Sequence, residues 1–357
     1  ENEQHSDKNG ELFFYFDEDK VIFIHYGGPF TYNDFISLLY QYGGGKDGNK
    51  SKIGRFGTGF LSTLILSRVI DVEGDLLPID GDRKNISGFE VTIDRQGETK
   101  EELEKGIENM EKSLKMTSVK GETKFVFHLP SNSDKNSTYY KAYKEGLKSL
   151  KANIPQCLIF NQSIKSITVK TKNDSMKFTK MQDDGPIRTI LIQSNEQTIR
   201  RSFIYHEKID MFNSKGLSKQ VKVNCLLEFG SNNNIIHNDQ FLFLSFPMFG
   251  PKQFNSSIII NSLDFEPKTE RNDIIIQQDD KSEDSYETSI NKFIISKAVE
   301  IFEKIIDIAI QRKCIDLYNI CYGLRENSNN KFFQEHFIQK MRNIILSFPI
   351  FETSNGF

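Results

Sequence analysis

The residues with the clearest chemical capacity are Gly54-Arg55-Phe56-Gly57-Thr58-Gly59-Phe60. Glycine lets a backbone approach a ligand closely and adopt positive φ, and the apolar run Leu61 to Val69 that follows is expected as a buried helix. A helix N-terminus presents unpaired N–H groups and a partial positive charge, so loop and helix together would cradle phosphate. The stretch lacks the Lys-Ser/Thr ending of a Walker A loop, and it does not join the first strand and helix of a βαβ unit as a Rossmann fingerprint does. A tight turn with close helix packing is the plain alternative for such glycines.

Residues 43–52, just upstream, are Gly, Lys, Asp, Asn and Ser, which cannot bury themselves and read as a mobile stretch. Lys46 and Lys52 within it read as solvated loop charges. Other reactive constellations fail. The six histidines (His5, His25, His128, His206, His237, His336) are scattered, none in an HExxH pair, and no G-x-S-x-G elbow occurs. Cys157, Cys225, Cys314 and Cys321 form no CxxC pair and have no His at ligand spacing, so no residue is assigned as a metal ligand.

A length of 357 residues implies two domains at about 150 residues each, and 37% apolar with 27% charged residues is the balance of a globular chain. The net charge of −3 supplies no overall field for a polyanion. The lysines between Lys141 and Lys151 read as a solvated helix face despite Tyr139, Tyr140 and Tyr143, so nucleic acid is not an expected partner. No apolar stretch reaches the roughly 20 residues that cross a bilayer, and Glu1 to Glu11 is not signal-like. A cytoplasmic protein without a membrane partner is therefore expected.

The elements that must position the loop are legible as patterns. Leu12 to Phe16 and Val21 to His25 read as a hairpin across Asp17-Glu18-Asp19-Lys20. Thr31 with Asp34 starts a helix bearing Phe35, Leu38, Leu39 and Tyr42. Val69 to Val72 and Phe89 to Ile93 read as strands. Thr99-x-x-Glu102 caps a helix with Leu103, Ile107, Met110 and Leu114 on one face, and Lys124 to His128 gives a further strand. A helix from Tyr139 is expected to end at Pro155. Strand patterns dominate from Cys157 to Pro247, and long helices cover Ile294 to Ile308 and Phe332 to Ile345.

In this order, the turn His25-Tyr26-Gly27-Gly28-Pro29-Phe30, the glycine-rich stretch, the glycine loop and Gly121-Glu122-Thr123-Lys124 resemble the nucleotide-binding Bergerat fold of gyrase, heat-shock chaperone, histidine kinase and MutL ATPases. The chain is similar to the sacsin-like group of that superfamily, in which a turn ending in Gly-x-Pro-Phe precedes Ile-Gly-x-Phe-Gly-x-Gly-Phe, here Ile53 to Phe60. The motifs cover about residues 11–130. The resemblance implies an α+β chain, with a Bergerat-type α/β sandwich over 1–132, a smaller transducer-like α/β domain over 133–275 and C-terminal helices over 283–357. It implies ATP and Mg²⁺ as cofactors. Gly27 would lie in the turn under the adenine, Thr123 would reach the base, and Gly54, Arg55, Phe56, Gly57, Thr58, Gly59 and Phe60 would hold the phosphates. Residues 43–52 would form the ATP lid, from which Lys46 or Lys52 could meet a phosphate. Phe246 to Gly250 and Phe265 to Arg271 look like the end of a transducer domain, from which Lys268 or Arg271 would reach the γ-phosphate. The alternative is an arginine paired with Glu270 or Asp273.

Two departures bear on activity. Much of the superfamily places in the first turn an Asp that accepts the adenine amino proton, and here His25 stands at that place. A neutral imidazole nitrogen accepts one hydrogen bond but supplies no negative charge, and a packed strand-end histidine is the plain alternative. The superfamily's helix bearing a water-activating Glu and a Mg²⁺-binding Asn should precede the first strand, and Glu1-Asn2-Glu3 lacks the apolar flank for it. Catalytic residues are thus unknown: the sequence starts after that helix, or the chain binds without hydrolysis. The expected function is ATP binding with lid-gated hydrolysis in the intact protein, coupled to chaperone-like or defence-like machinery, with a homodimer on ATP binding and a protein partner of unknown kind. The alternative is a non-catalytic nucleotide-sensing scaffold.

Overall fold

The computed structural model describes residues 10–40, 61–79, 81–130, 137–214, 216–238, 241–248, 256–268, 272–276, 283–321, 324 and 330–350. The chain divides into two compact units, one of residues 1–154, 162–179 and 192–198, the other of residues 155–161, 180–191 and 199–357.

In the first unit, β1 (Glu11–Phe16) and β2 (Lys20–His25) form the expected hairpin, in register from Leu12↔His25 to Phe16↔Val21. Thr31 caps α1 (Tyr32–Tyr40) by accepting from Asp34 N–H at 3.2 Å, and the helix buries Phe35 and Leu39. β3 (Val69–Leu76) and β4 (Ser87–Asp94) follow. The capping box of Thr99 and Glu102 then opens α2 (Lys100–Ser113). Of the four apolar residues expected on one α2 face only Met110 is buried, with Leu103 and Ile107 exposed. β5 (Lys115–Thr117), β6 (Thr123–His128), α3 (Thr138–Phe160) as far as Ile154, β7 (Ser166–Thr171) and β8 (Ser175–Lys180) complete the unit's elements. The strand order is β8-β7-β1-β2-β6-β3-β4-β5. β1 and β7 run parallel, from Glu11↔Ser166 to Phe16↔Thr171. The unit therefore takes in strands beyond residue 132, where the sequence places a domain boundary.

Register fixes one face of this sheet. Phe16, Val21, Phe127, Ile70 and Ile93 form one row across β1, β2, β6, β3 and β4, and Gly74 and Phe89 lie four residues along on the same side. Tyr143 of α3 packs on Phe16 and Phe35 of α1 on Phe89, so both helices cover that face.

Two helical expectations are corrected. Leu61 to Val69 is no buried helix. Leu61–Ile65 is a short 3₁₀ turn with Ile65 exposed, closed by Leu66 and Ser67 N–H groups donating to the Thr63 carbonyl. The buried Ser67 hydroxyl then accepts from Val69 N–H and bonds the His128 carbonyl, so its side chain competes with helical bonding and hands the chain to β3. The second correction is α3, which runs through Pro155 to Phe160. A proline there forfeits a hydrogen bond at about 3 kcal/mol, and the burial of Ile154, Cys157, Leu158 and Ile159 offsets it.

The second unit contains β9 (Ile187–Gln193), β10 (Thr198–Ser214), β11 (Leu217–Phe229), β12 (Leu242–Leu244), β13 (Phe246–Pro247) and β14 (Ile259–Asn261), ordered β13-β12-β14-β11-β10-β9. Ser285 caps α4 (Tyr286–Gln311), whose Ile294, Ala298, Ile301 and Ile305 form the expected apolar stripe and pack in one core with Val221, Val223, Cys225 and Leu227. The last helix consists of α5 (Lys331–Phe333), a π-helical turn over Gln334–Ile338 and α6 (Gln339–Leu346).

Candidate functional site

The site begins where β2 ends and β6 starts, because the antiparallel register places His25 directly opposite Thr123. Both lie on the helix-covered face, in line with Phe14, Phe23 and Phe125. Those three phenylalanines are half-buried and form a ladder. Ring centroids lie 4.7 Å apart for Phe14 and Phe23, 6.1 Å for Phe23 and Phe125, and 6.5 Å for His25 and Phe125, all near-parallel. The sequence reads these residues only as strand formers. Their shared parity along three adjacent strands is the signal that marks them as one aromatic floor.

His25 is held in a defined role. Its Nδ1 accepts the Gly27 N–H at 3.2 Å, and burial pushes the imidazole below the ordinary histidine range. A neutral ring that accepts at Nδ1 carries its proton at Nε2, which is therefore a donor. In this geometry His25 does not replace the acceptor that the superfamily's Asp supplies. Gly27 lies close to the ring: a Cβ there would sit 2.9 Å from His25 Nδ1, whereas a Cβ on Gly28 would meet no described atom within 4 Å. The turn thus leans on the imidazole at Gly27.

One buried carboxylate fastens the surroundings. Asp75 accepts from the backbone N–H groups of Lys120 at 2.7 Å and Gly121 at 2.8 Å, shaping the turn that leads into Thr123, where Gly121 has φ +74°. The Asp75 carbonyl accepts from Phe30 N–H at 2.7 Å, tying the segment after Gly28 to β3. Gly74 lets this happen, since a Cβ there would lie 3.3 Å from the rings of both Phe30 and Phe89. Nearby cations are already paired: Lys124 with Glu73 at 2.8 Å and Lys120 with Glu90 at 2.5 Å. Lys120 draws the Glu90 carboxyl below its usual range, and the pairing raises Lys120 in turn.

Three of the expected site residues, His25, Gly27 and Thr123, thus come together. Lys46, Lys52, Gly54, Arg55, Phe56, Gly57, Thr58, Gly59, Phe60 and Arg271 lie outside the described residues. Lys268 lies in the second unit, ion-paired with Asp273 at 2.8 Å. Among the described residues no three His, Cys, Asp or Glu side chains converge on a metal position. A polar cavity of about 460 Å³, lined by Asp94, Glu98, Glu102 and Lys105 among others, lies at the far end of β4. Glu102 there accepts from Glu98 and Thr99 N–H groups, so capping α2 accounts for it.

No protein-family model matches the sequence, and no curated protein matches it. Among solved structures the chain is similar to MutL ATPase domains of Aquifex aeolicus. The K252N variant shares 10% identity at a TM-score of 0.31, over 71% of this chain and 81% of that one. The ADP complex shares 7% at 0.32, over 71% and 84%. Among the described residues no helix is long and apolar enough to cross a membrane.

Proposed function

We propose that this chain binds a nucleoside triphosphate, with the base end at His25, Gly27 and Thr123 and the phosphates at the glycine loop of residues 54–60. What supports the reading is a single juxtaposition. The turn after β2 and the start of β6, two motifs about a hundred residues apart in the sequence, stand side by side over an aromatic floor with a hydrogen-bond donor, Nε2, that bonds no described residue. The aromatic side chains give the corner apolar contact area, and a single polar contact at the rim would orient a ligand there. In the fuller form of the proposal the protein is a sacsin-like or chaperone-like ATPase of the gyrase, chaperone, kinase and MutL superfamily. Residues 43–52 close as a lid, Mg²⁺ comes bound to the phosphates, and closure dimerises the chain. Lid closure would then limit turnover.

Calorimetric titration of ATP with Mg²⁺ into the chain tests this, beside a variant carrying Gly57→Val and Gly59→Val. Saturable heat for the parent and none for the variant is expected, because side chains in the loop would block the approach of phosphate to backbone amides. Equal heats for the two proteins, or none for either, would overturn it.

A further inference from the structure

The geometry points to His25 as the residue that selects the base, favouring a purine nucleotide with an acceptor at its six-position, as in inosine or guanine, over adenine. The inference rests on the nucleotide reading above and adds the ligand's class. His25 stands opposite Thr123 on the face that bears the aromatic floor. Its Nδ1 lone pair is occupied by Gly27 N–H, so the only polar atom it can turn toward a ligand is Nε2, and that atom donates. Tyr26, the neighbouring side chain in the same turn, packs edge-on against Phe13, whose parity places it on the opposite face of the sheet. It is therefore directed away from Thr123. No charged group among the described residues contributes to the lowered pKa of His25, which follows from burial alone, so the ring stays neutral and a single donor at neutral pH. A donor facing the exocyclic amino group of adenine opposes a second donor. Facing the carbonyl of a 6-oxo purine, it completes a hydrogen bond. Removing a partner from such a bond leaves a desolvated polar group, which is how polar sites discriminate.

The sharpest probe is the pair ATP and ITP, which differ only at the six-position and the adjoining ring nitrogen. Each is titrated into the parent chain and into two smaller variants that keep an atom at the Nδ1 position, His25→Asn and His25→Asp. An Asn or Asp side-chain oxygen can accept the N–H two residues on, as His25 Nδ1 does, so both variants preserve the turn and differ in what they present outward. Asn retains a donor and Asp offers only acceptors. The parent and His25→Asn should bind ITP about 3- to 10-fold more tightly than ATP, a ratio that one hydrogen bond supplies. His25→Asp should reverse the order. Nucleotides that bind all three proteins with the same ATP to ITP ratio would overturn the inference and leave the nucleotide site standing. No measurable binding of either nucleotide to the parent chain would overturn both.

Discussion

The two units differ in how certain polar groups are used. In the second unit a row of buried amides is bonded within itself. The Asn261 side chain donates to Asn224 Oδ1 at 3.2 Å and accepts from Ser245 N–H at 2.8 Å, which holds Ser245 at φ +62°, and the Asn224 side chain donates to the Tyr205 hydroxyl at 2.8 Å. Beside this row Arg201 grips the buried Glu228 with two donors at 2.5 Å. In the first unit Asp75 likewise spends its oxygens on backbone N–H groups, but the corner it builds leaves His25 Nε2 without a bond to a described residue and Gly28 without a described atom within 4 Å of a Cβ placed there. A polar group that is internally satisfied specifies a fold, and one left unspent at a half-buried rim is available to a ligand. Substitutions in the second unit should therefore act on stability, and substitutions at the corner on binding.

The largest effect should come from Glu228→Ala. It removes the buried carboxylate that accepts two Arg201 donors and should cost about 3 kcal/mol, read as a lower denaturant midpoint. A loss under about 1 kcal/mol would show that the pair behaves like an exposed one and would blur the contrast. Asp75→Ala should cost less, about 2 kcal/mol, for two orphaned backbone N–H groups. It should also weaken nucleotide binding by more than the stability loss explains, since the turn before Thr123 loses its anchor. Unchanged affinity in folded Asp75→Ala protein would remove the corner from the site.

Much of this arrangement is readable from the residues, and the unreadable parts share a cause. Caps and hairpins are local: Thr31, the Thr99 and Glu102 box, and the acidic turn between β1 and β2 form as their spacing dictates. Pairings at long sequence distance are not local. Nothing near Leu12 announces that β7 runs parallel to β1, and nothing near Thr123 announces His25 as its partner except the order of motifs. The stretch after the glycine loop misleads for a different reason. An apolar composition suggests a buried helix, but Ser67 captures the chain and its β-branched continuation from Val69 pairs as strand. Pro155 misleads in the same sense, because tertiary burial overrides a local rule. The tautomer of His25, which turns an expected acceptor into a donor, is decided by one N–H two residues away and is invisible until the turn is seen.

Gly27→Ala tests the corner more gently. Gly27 does not occupy positive φ, so alanine is sterically allowed by the backbone and should leave stability within about 1 kcal/mol of the parent. Its Cβ would press on His25 Nδ1 and Cε1, at 2.9 and 3.1 Å, and tilt the ring. The measurable consequence should be a flattened preference among purine nucleotides with little change in melting temperature. A large drop in melting temperature with preference intact would reassign Gly27 to folding rather than recognition.

The smallest expected effect is that of pH, and its sign is fixed by the imidazole. Burial lowers the folded-state pKa of His25 below its value in the unfolded chain. Above about pH 6.5 the ring is neutral in both states and contributes no slope. As pH falls through that value the unfolded chain takes up the proton first, so stability declines until the lowered folded pKa is passed, where both states are protonated and the decline stops. Protonation also places a hydrogen on Nδ1, where it faces the Gly27 N–H, so the turn loosens over the same window. The difference in unfolding free energy between the parent and His25→Asn should therefore be flat above neutrality and should shift against the parent as pH falls. A shift in the parent's favour would mean that an acidic group sits beside the ring. A charged imidazolium stabilised by such a neighbour would present donors at both nitrogens, and the open face of the corner would then suit an anionic group rather than the edge of a neutral base.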